Sequence, residues 1–292
     1  MLKQVFKTCV ALLAIATLAT ACHKENTNEP IGSAKVTVSV NDFSITTEDF
    51  PTKDAPASYS GVKAMTLAFF DANGDQAYCT TQLRADNTTY TTFGQFELSL
   101  PLGSYTMVAL GYGSEQPITL SSATSATYTA DRVRETFVVS QAVNVTSTNP
   151  LTLNAELSRV VSKVHVLSTD TRTAGVDSVR VTFAAGGKGV NPQTGLAASN
   201  NGLSNTVAIS TGVGVASNTV SYLFLNSDPQ TMNITVETIK SNGTVYSTRT
   251  VTDVPLQRNK VTVLRGPMYS NASGASFTVS TSWVGDTNFV DF

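Results

Sequence analysis

Along nearly the whole chain apolar and polar residues take turns, and that period of two leaves little room for anything but strands. Val36, Val38 and Val40 alternate with polar neighbours, as do Met65, Leu67 and Phe69, and then Phe96, Leu98 and Leu100 up to Pro101. Successive side chains of a strand point to opposite faces, so such runs build sheets with one buried face. Similar runs cover residues 103–110, 137–145, 151–157, 160–167, 179–183, 207–209, 220–225, 234–236, 245–251, 261–263 and 277–283. No stretch carries the three-and-four spacing of a convincing amphipathic helix. Asn73-Gly74 and Asn242-Gly243 lie between alternating runs and predict hairpins with type I′ turns, which need positive φ twice. The Gly-, Ala- and Asn-rich stretch from Gly186 to Gly214 reads as long loops around a short strand, and Asn41 to Gly61 as a long polar loop.

Only 14% of the residues are charged, while Thr, Ser, Val and Asn are plentiful. β-Branched residues suit a pleated, half-exposed surface. Short strands spaced by turn signals in each half predict two antiparallel β-sandwiches, residues 34–156 and 157–292, in an all-β fold. The boundary is placed near residues 154–160, where no Pro/Gly linker marks it and the chain can run straight across as strand.

The N-terminus predicts export. Lys3 and Lys7 precede an uncharged stretch, Thr8 to Ala21, whose apolar core is shorter than the ~20 residues that span a bilayer as a helix. It reads as a signal h-region, giving a signal peptide over residues 1–21. Leu18-Ala19-Thr20-Ala21-Cys22 resembles a lipobox, with Ala19 where Leu is usual. Cys22 is therefore the expected lipidation site, the alternative being an ordinary cleaved signal with an incidental cysteine. Two or three acyl chains anchor a protein stably where one would not. Residues 22–33, polar with Pro30 and Gly32, read as a flexible tether. Loss of Lys3 and Lys7 with the signal moves the formal charge from −2 to about −4.

The search for reactive chemistry yields no catalytic residue, no metal site and no cofactor. With Cys9 in the signal and Cys22 lipidated, Cys79 is the one thiol left, so no internal disulfide is expected and Cys79 reads as a small buried residue. His23 lies in the tether, and His165 alternates with Val164 and Val166, which predicts an outward polar position. No Ser-His-Asp or Cys-His pair has a supporting sequence. Asp71, Asn73 and Asp75 imitate a calcium loop, but Gln82 stands where a bidentate Glu is needed, and the hairpin reading is preferred. Gly186-Gly187-Lys188-Gly189 lacks the ending of a phosphate loop and reads as a surface turn. Asn-x-Ser/Thr triplets at Asn87, Asn144, Asn233, Asn242 and Asn271 are expected by chance in so Asn- and Thr-rich a chain. Basic patches with interleaved aromatics are missing, which argues against nucleic acid as a partner.

Several segments in order carry a family likeness. Cys22 is followed by His23-Lys24-Glu25-Asn26, then by the strand Ala34 to Val40 and the strand Val62 to Phe70. Leu157 to Val164 opens the second half, and Val254-Pro255-Leu256-Gln257-Arg258-Asn259-Lys260 and Phe277 to Trp283 close it. In this order and spacing the sequence resembles the fimbrillin family, which builds type V pili on Bacteroidia. The resemblance implies two transthyretin-like sandwiches, a lipoprotein precursor at the outer membrane and cell surface, and partners that are other fimbrial subunits or a ligand on host or bacterial surfaces. It also implies assembly by strand exchange: a cut after Arg behind the first strand frees a groove that a neighbour's terminal segment fills. Between Val40 and Val62 there is no Arg, and Lys53 is the one basic residue, hence the candidate processing point. Retention of the strand would make the chain an anchor or accessory subunit. The candidate assembly residues are Val36, Val38 and Val40 at one end and Phe289, Val290 and Phe292 at the other, the last three on an otherwise polar tail. The rival is a glycan-binding outer-membrane lipoprotein; such proteins display several aromatic platforms, whereas Trp283 is the single Trp here.

Overall fold

The computed structural model describes residues 32–46, 51–56, 58–270 and 276–282, and every regular element among them is a strand. The first half holds β1 (Ser33–Thr46), β2 (Pro51–Asp54), β3 (Ala64–Asp71), β4 (Gln76–Leu83), β5 (Gln95–Pro101), β6 (Gly103–Tyr112), β7 (Ile118–Ser122), β8 (Ser125–Tyr128), β9 (Thr136–Val145) and β10 (Leu151–Arg159). Eight of them form one sheet in the order β2-β1-β10-β9-β6-β3-β4, with β5 also paired to β1. Inward residues from both ends of this sheet share one core, among them Val36, Val38, Met65, Leu67, Phe69, Phe96, Leu100 and Met107, so the sheet folds over on itself as a sandwich. Its two ends are laced by Gln82 of β4: the side-chain Nε2 donates to Gln95 O (2.6 Å), and Oε1 accepts from Gly94 N (2.8 Å).

The second half holds β11 (Ser162–Thr171), β12 (Val176–Phe183), β13 (Gly189–Asn191), β14 (Leu196–Ala197), β15 (Leu203–Ala208), β16 (Ala216–Leu223), β17 (Gln230–Lys240), β18 (Val245–Leu256), β19 (Val261–Gly266) and β20 (Thr278–Ser282). Two four-stranded sheets, β16-β11-β19-β20 and β15-β12-β17-β18, enclose a core that includes Val164, Val166, Val179, Val181, Phe183, Ile234, Val236 and Leu264. The protein is thus an all-β assembly of sandwiches. Both halves share one device: the first strand lies parallel to a strand near the end of the half, β1 on β10, the last of its half, and β11 on β19, the last but one, while the remaining pairs are antiparallel.

A fourth sheet, β14-β13-β8-β7, takes two strands from each half, with Val190 opposite Ala126. Beneath it lies a cluster drawn from both halves, including Phe70, Tyr112, Tyr128, Val160, Val190 and Phe224. The Gly-rich stretch read as loops therefore contains paired strands. Its glycines serve close approach: a Cβ on Gly189 would lie 2.7 Å from Thr127 Oγ1, and one on Gly186 would lie 2.6 Å from Phe224 O.

Both Asn-Gly hairpins form, but with a different turn. In the first, Gly74 (φ 86°) takes the left-handed conformation and Asn73 does not. Gly74 N donates to Asp71 O (3.0 Å), Asp71 N donates to Asp75 O (2.9 Å), and Asp71 Oδ1 accepts from the backbone of Asn73 and Asp75. This is a type I turn closed by a left-handed glycine. Residues 240–244 repeat it, with Gly243 at φ 83° and Asn242 Oδ1 accepting from Thr244. The Asp71 carboxylate is thus engaged in the turn.

Candidate functional site

The predicted assembly strand is buried through and through. On β1, Ala34, Val36, Val38 and Val40 point into the core, while Lys35 is exposed and Thr37 and Ser39 are half-buried. The strand does not stop at Val40. A bulge between Val40 and Asp42 shifts the register against β10, so the next inward residue is Phe43, three places on instead of two. On one edge β1 pairs with β10 from Val36↔Leu151 to Ser44↔Ser158. The other edge pairs with β5 from Ser33↔Pro101 to Ser39↔Gln95, and then with β2 from Phe43↔Asp54 to Thr46↔Pro51.

Lys53 consequently stands opposite Ser44 in a β-ladder. The expectation of one long polar loop from Asn41 to Gly61 is corrected: β1 continues to Thr46 and β2 folds back on it. Cys22, Trp283, Phe289, Val290 and Phe292 lie outside the described residues.

The far end of β1 is fastened by a cluster that the alternation pattern did not reveal. The Phe43 ring lies 4.7 Å from Phe137 and 5.8 Å from Tyr59. Tyr59 OH donates to Glu135 Oε2 (2.7 Å), and Arg159 Nη2 meets Glu135 Oε1 (2.6 Å) and Tyr59 OH (3.2 Å). The Arg159 guanidinium also lies 5.1 Å from the Phe137 ring centre, and its Nη1 donates to Asn259 Oδ1 (2.9 Å). Arg159 and Asn259 come from two of the three second-half segments that carried the family likeness, and they meet here. Burial raises the Tyr59 pKa, and the Glu135 charge pushes it the same way. Burial opposes the Arg159 charge, yet Glu135 and Tyr59 together hold its pKa above the ordinary value.

Four fully buried side chains, Val36, Val38, Val40 and Phe43, at ~1.5–3 kcal/mol each make β1 worth roughly 6–12 kcal/mol of apolar burial. That rivals the whole net stability of a typical domain, about 5–15 kcal/mol. A groove emptied of this strand cannot stay empty. It must be refilled by a segment of matching alternation or collapse.

The other candidates fall into place. His165 is 2% exposed between Val220 and Val263, so the outward position predicted for it is corrected. Strand alternation assigns it the face opposite Val164 and Val166, and that face is also covered. Cys79 is buried on β4. Among the described residues no group of three or more His, Cys, Asp or Glu is placed to hold a metal ion. Gly187 bridges Phe224 and Gly189 pairs with Thr127 of the first half, so Gly186 to Gly189 is a packed crossing between the halves.

Comparison with known proteins supports the fold. The structure is similar to that of a candidate adhesin from Bacteroides ovatus, with 11% identity, a TM-score of 0.51, and coverage of 87% of this chain and 94% of that one. A second candidate adhesin, from Bacteroides ovatus ATCC 8483, gives 14% identity, a TM-score of 0.50, and coverage of 80% and 87%. The fimbrial anchor protein Mfa2 from Porphyromonas gingivalis gives 12% identity, a TM-score of 0.48, and coverage of 85% and 95%. At these identities the likeness is one of fold. No curated protein matches the sequence. Residues 114–290 match a family of unknown function, DUF6562, and since that span exceeds half of the 292 residues, the chain belongs to this family.

Proposed function

We propose that the chain is a structural, non-enzymatic subunit of a cell-surface fimbria of the type V pilus kind, tethered to the outer membrane by lipid on Cys22 and assembled by β-strand exchange. The observation that carries this reading is β1: a strand near the start of the chain, buried on its inner face and paired on both edges. β11 occupies the equivalent place in the second half, but it is joined to β10 through Val160 and Val161 and onward to β12, so it cannot leave without unravelling its unit. Among the described strands β1 and β20 each have one covalent connection into the rest of the fold, and of the two β1 is the one paired on both edges. The fold likeness to candidate adhesins of Bacteroides is in keeping with this role.

In this reading the sandwich units cover residues 34–156 and 157–292. Lys53, paired in β2, is a poor protease substrate until the ladder opens, which favours retention of β1 and an anchor or accessory subunit over a stalk. Residues 284–292, with Phe289, Val290 and Phe292, supply the segment that enters a neighbour's groove in place of its first strand. The test is the protein recovered from cells. Its N-terminus should be an acylated Cys22 with the chain intact through Lys53, and cysteines introduced at Val38 and Val290 should give crosslinked ladders. A soluble, unacylated protein, or removal of residues 284–292 that destabilises the monomer while polymer incorporation is unchanged, overturns the proposal.

A further inference from the structure

The folded-over sheet leaves a second feature that the assembly reading does not use. β4 and β5 are both sheet edges, and they face each other where Gln82 laces them. Beside this clasp opens a cleft of about 800 Å³, lined by Tyr78 and Thr80 from β4, Gln95 and Glu97 from β5, and Asp86 and Tyr90 from the connection between them. That volume lies within the usual range for small-ligand sites, about 300–1,000 Å³.

The lining selects a chemistry. Residues bearing hydroxyl, amide or carboxylate groups outnumber the apolar ones, Leu83, Phe96, Pro117 and Ile118; two half-buried tyrosine rings join them, and among the described residues lining the cleft none is Lys, Arg or His. The nearby Arg84 is committed elsewhere: its guanidinium donates to Val62 O, Pro56 O and Tyr59 O and lies 4.3 Å from the Phe93 ring centre. With two carboxylates and no cation, the cleft disfavours anionic ligands. Ring faces beside groups that both donate and accept suit a molecule that is apolar on its C–H faces and hydroxylated around its rim.

An added peptide strand fits less well. The Gln82 side chain crosses the gap, and Tyr90 OH donates to Leu83 O (3.0 Å) and Arg84 O (3.3 Å), so the end of the β4 edge is already occupied. The connection is also preformed, with Asp86 Oδ1 accepting from Thr88 Oγ1 (2.6 Å) and Asp86 O accepting from Thr89 Oγ1 (3.3 Å).

The geometry points to a binding site for neutral oligosaccharides in the β4–β5 cleft. This goes beyond the assembly proposal and stands apart from it: a subunit that polymerises without binding sugar refutes this site alone, and a sugar-binding protein that never polymerises refutes the other alone. The experiment presents the purified mature protein to arrayed neutral oligosaccharides, their sulfated and sialylated counterparts, and extended peptides, with affinities measured by calorimetry. Neutral glycans should bind and acidic ones should not. Thr80→Arg, which puts bulk and charge across the cleft, should abolish binding with the thermal midpoint unchanged. Glu97→Gln, at an exposed position of β5, should weaken it about fivefold, as a hydrogen bond to a charged group becomes a neutral one. If Thr80→Arg fails to fold, Glu97→Gln decides. No neutral glycan bound by the parent protein, binding that survives both substitutions, or preference for acidic glycans or for peptides overturns the assignment.

Discussion

Replacing Phe43 by alanine removes the ring that packs against Phe137 and Tyr59 at the far end of β1. The space cannot refill easily. One wall is the backbone of Gly111, where an added Cβ would lie 2.9 Å from the Phe43 ring, and glycine has no side chain to swing into the gap. Burying an aromatic ring and then deleting it costs about 3–5 kcal/mol when the surroundings stay put, so a value near ~4 kcal/mol is expected here. For a protein of this size that corresponds to a fall of roughly 8–16 °C in Tm. Scanning calorimetry of the mature protein measures it, with exposed Lys35→Ala as a control that stays within about 0.5 kcal/mol. A second readout follows from register: Phe43 pairs with Asp54 and Ser44 with Lys53, so loosening this end should speed cleavage by a Lys-specific protease at Lys53. Adding Gly111→Ala to the Phe43→Ala protein should recover part of the loss, whereas the same change in the parent protein should destabilise it. If Phe43→Ala lowers Tm by less than about 2 °C and leaves cleavage at Lys53 unchanged, the argument that β1 is a core strand to its end is wrong.

Two further outcomes follow from the same region. Arg159→Ala strands Glu135 in a mostly buried setting and should cost about 3–5 kcal/mol in urea unfolding, while Arg159→Lys recovers little because one ammonium cannot span Glu135, Tyr59 and Asn259. Tyr59, Tyr112 and Tyr128 have pKa values raised chiefly by burial, so the fold favours their neutral forms; the stability they contribute is intact below pH ~10 and is lost as pH rises from there toward their folded values. Tyrosinate absorbance should then show part of the nine tyrosines ionising only together with loss of the β circular-dichroism signal, and smooth ionisation near pH ~10 with the fold intact would falsify this.

Where alternation was clean, as at Val36, Val38 and Val40, it named both the strand and the buried face, whereas β3 is buried on both faces, Met65, Leu67 and Phe69 in one cluster and Ala68 and Phe70 in another. Alternation failed where the backbone changes phase. The bulge after Val40 puts Phe43 out of step, so the strand seemed to end early, and β2, with Pro51, Lys53 and Asp54 in four residues, has no alternation at all. Parallel pairing of β1 with β10 leaves no local mark, since the partners lie more than a hundred residues apart. Short strands such as β13 and β14 hide in glycine-rich sequence because glycine is needed there for close approach, as at Gly189, as well as for turning, as at Gly195 (φ 69°) between them. The Phe43–Tyr59–Phe137–Arg159 cluster was invisible for the same reason: its members are scattered along the chain and only the fold brings them together. The Asp71 turn differs from the expected one in that only the glycine is left-handed, and the turn at Lys240, which has no carboxylate at that position, takes the same form.

The parallel pairing of β1 with β10 also decides how the protein answers a pull. Tension applied to the chain ahead of Ser33 enters β1 at its first residue, and tension drawn through the second half leaves β10 at Arg159, where the chain passes on to β11. In parallel strands these two points lie at opposite ends of the ladder. The force therefore slides one strand along the other, and all the hydrogen bonds from Val36↔Leu151 to Ser44↔Ser158 resist together instead of parting one at a time. Had the two strands been antiparallel, the same pull would have acted at one end of the ladder and opened it like a zip. A body held at its leading end in flowing liquid thus meets drag along its most resistant direction.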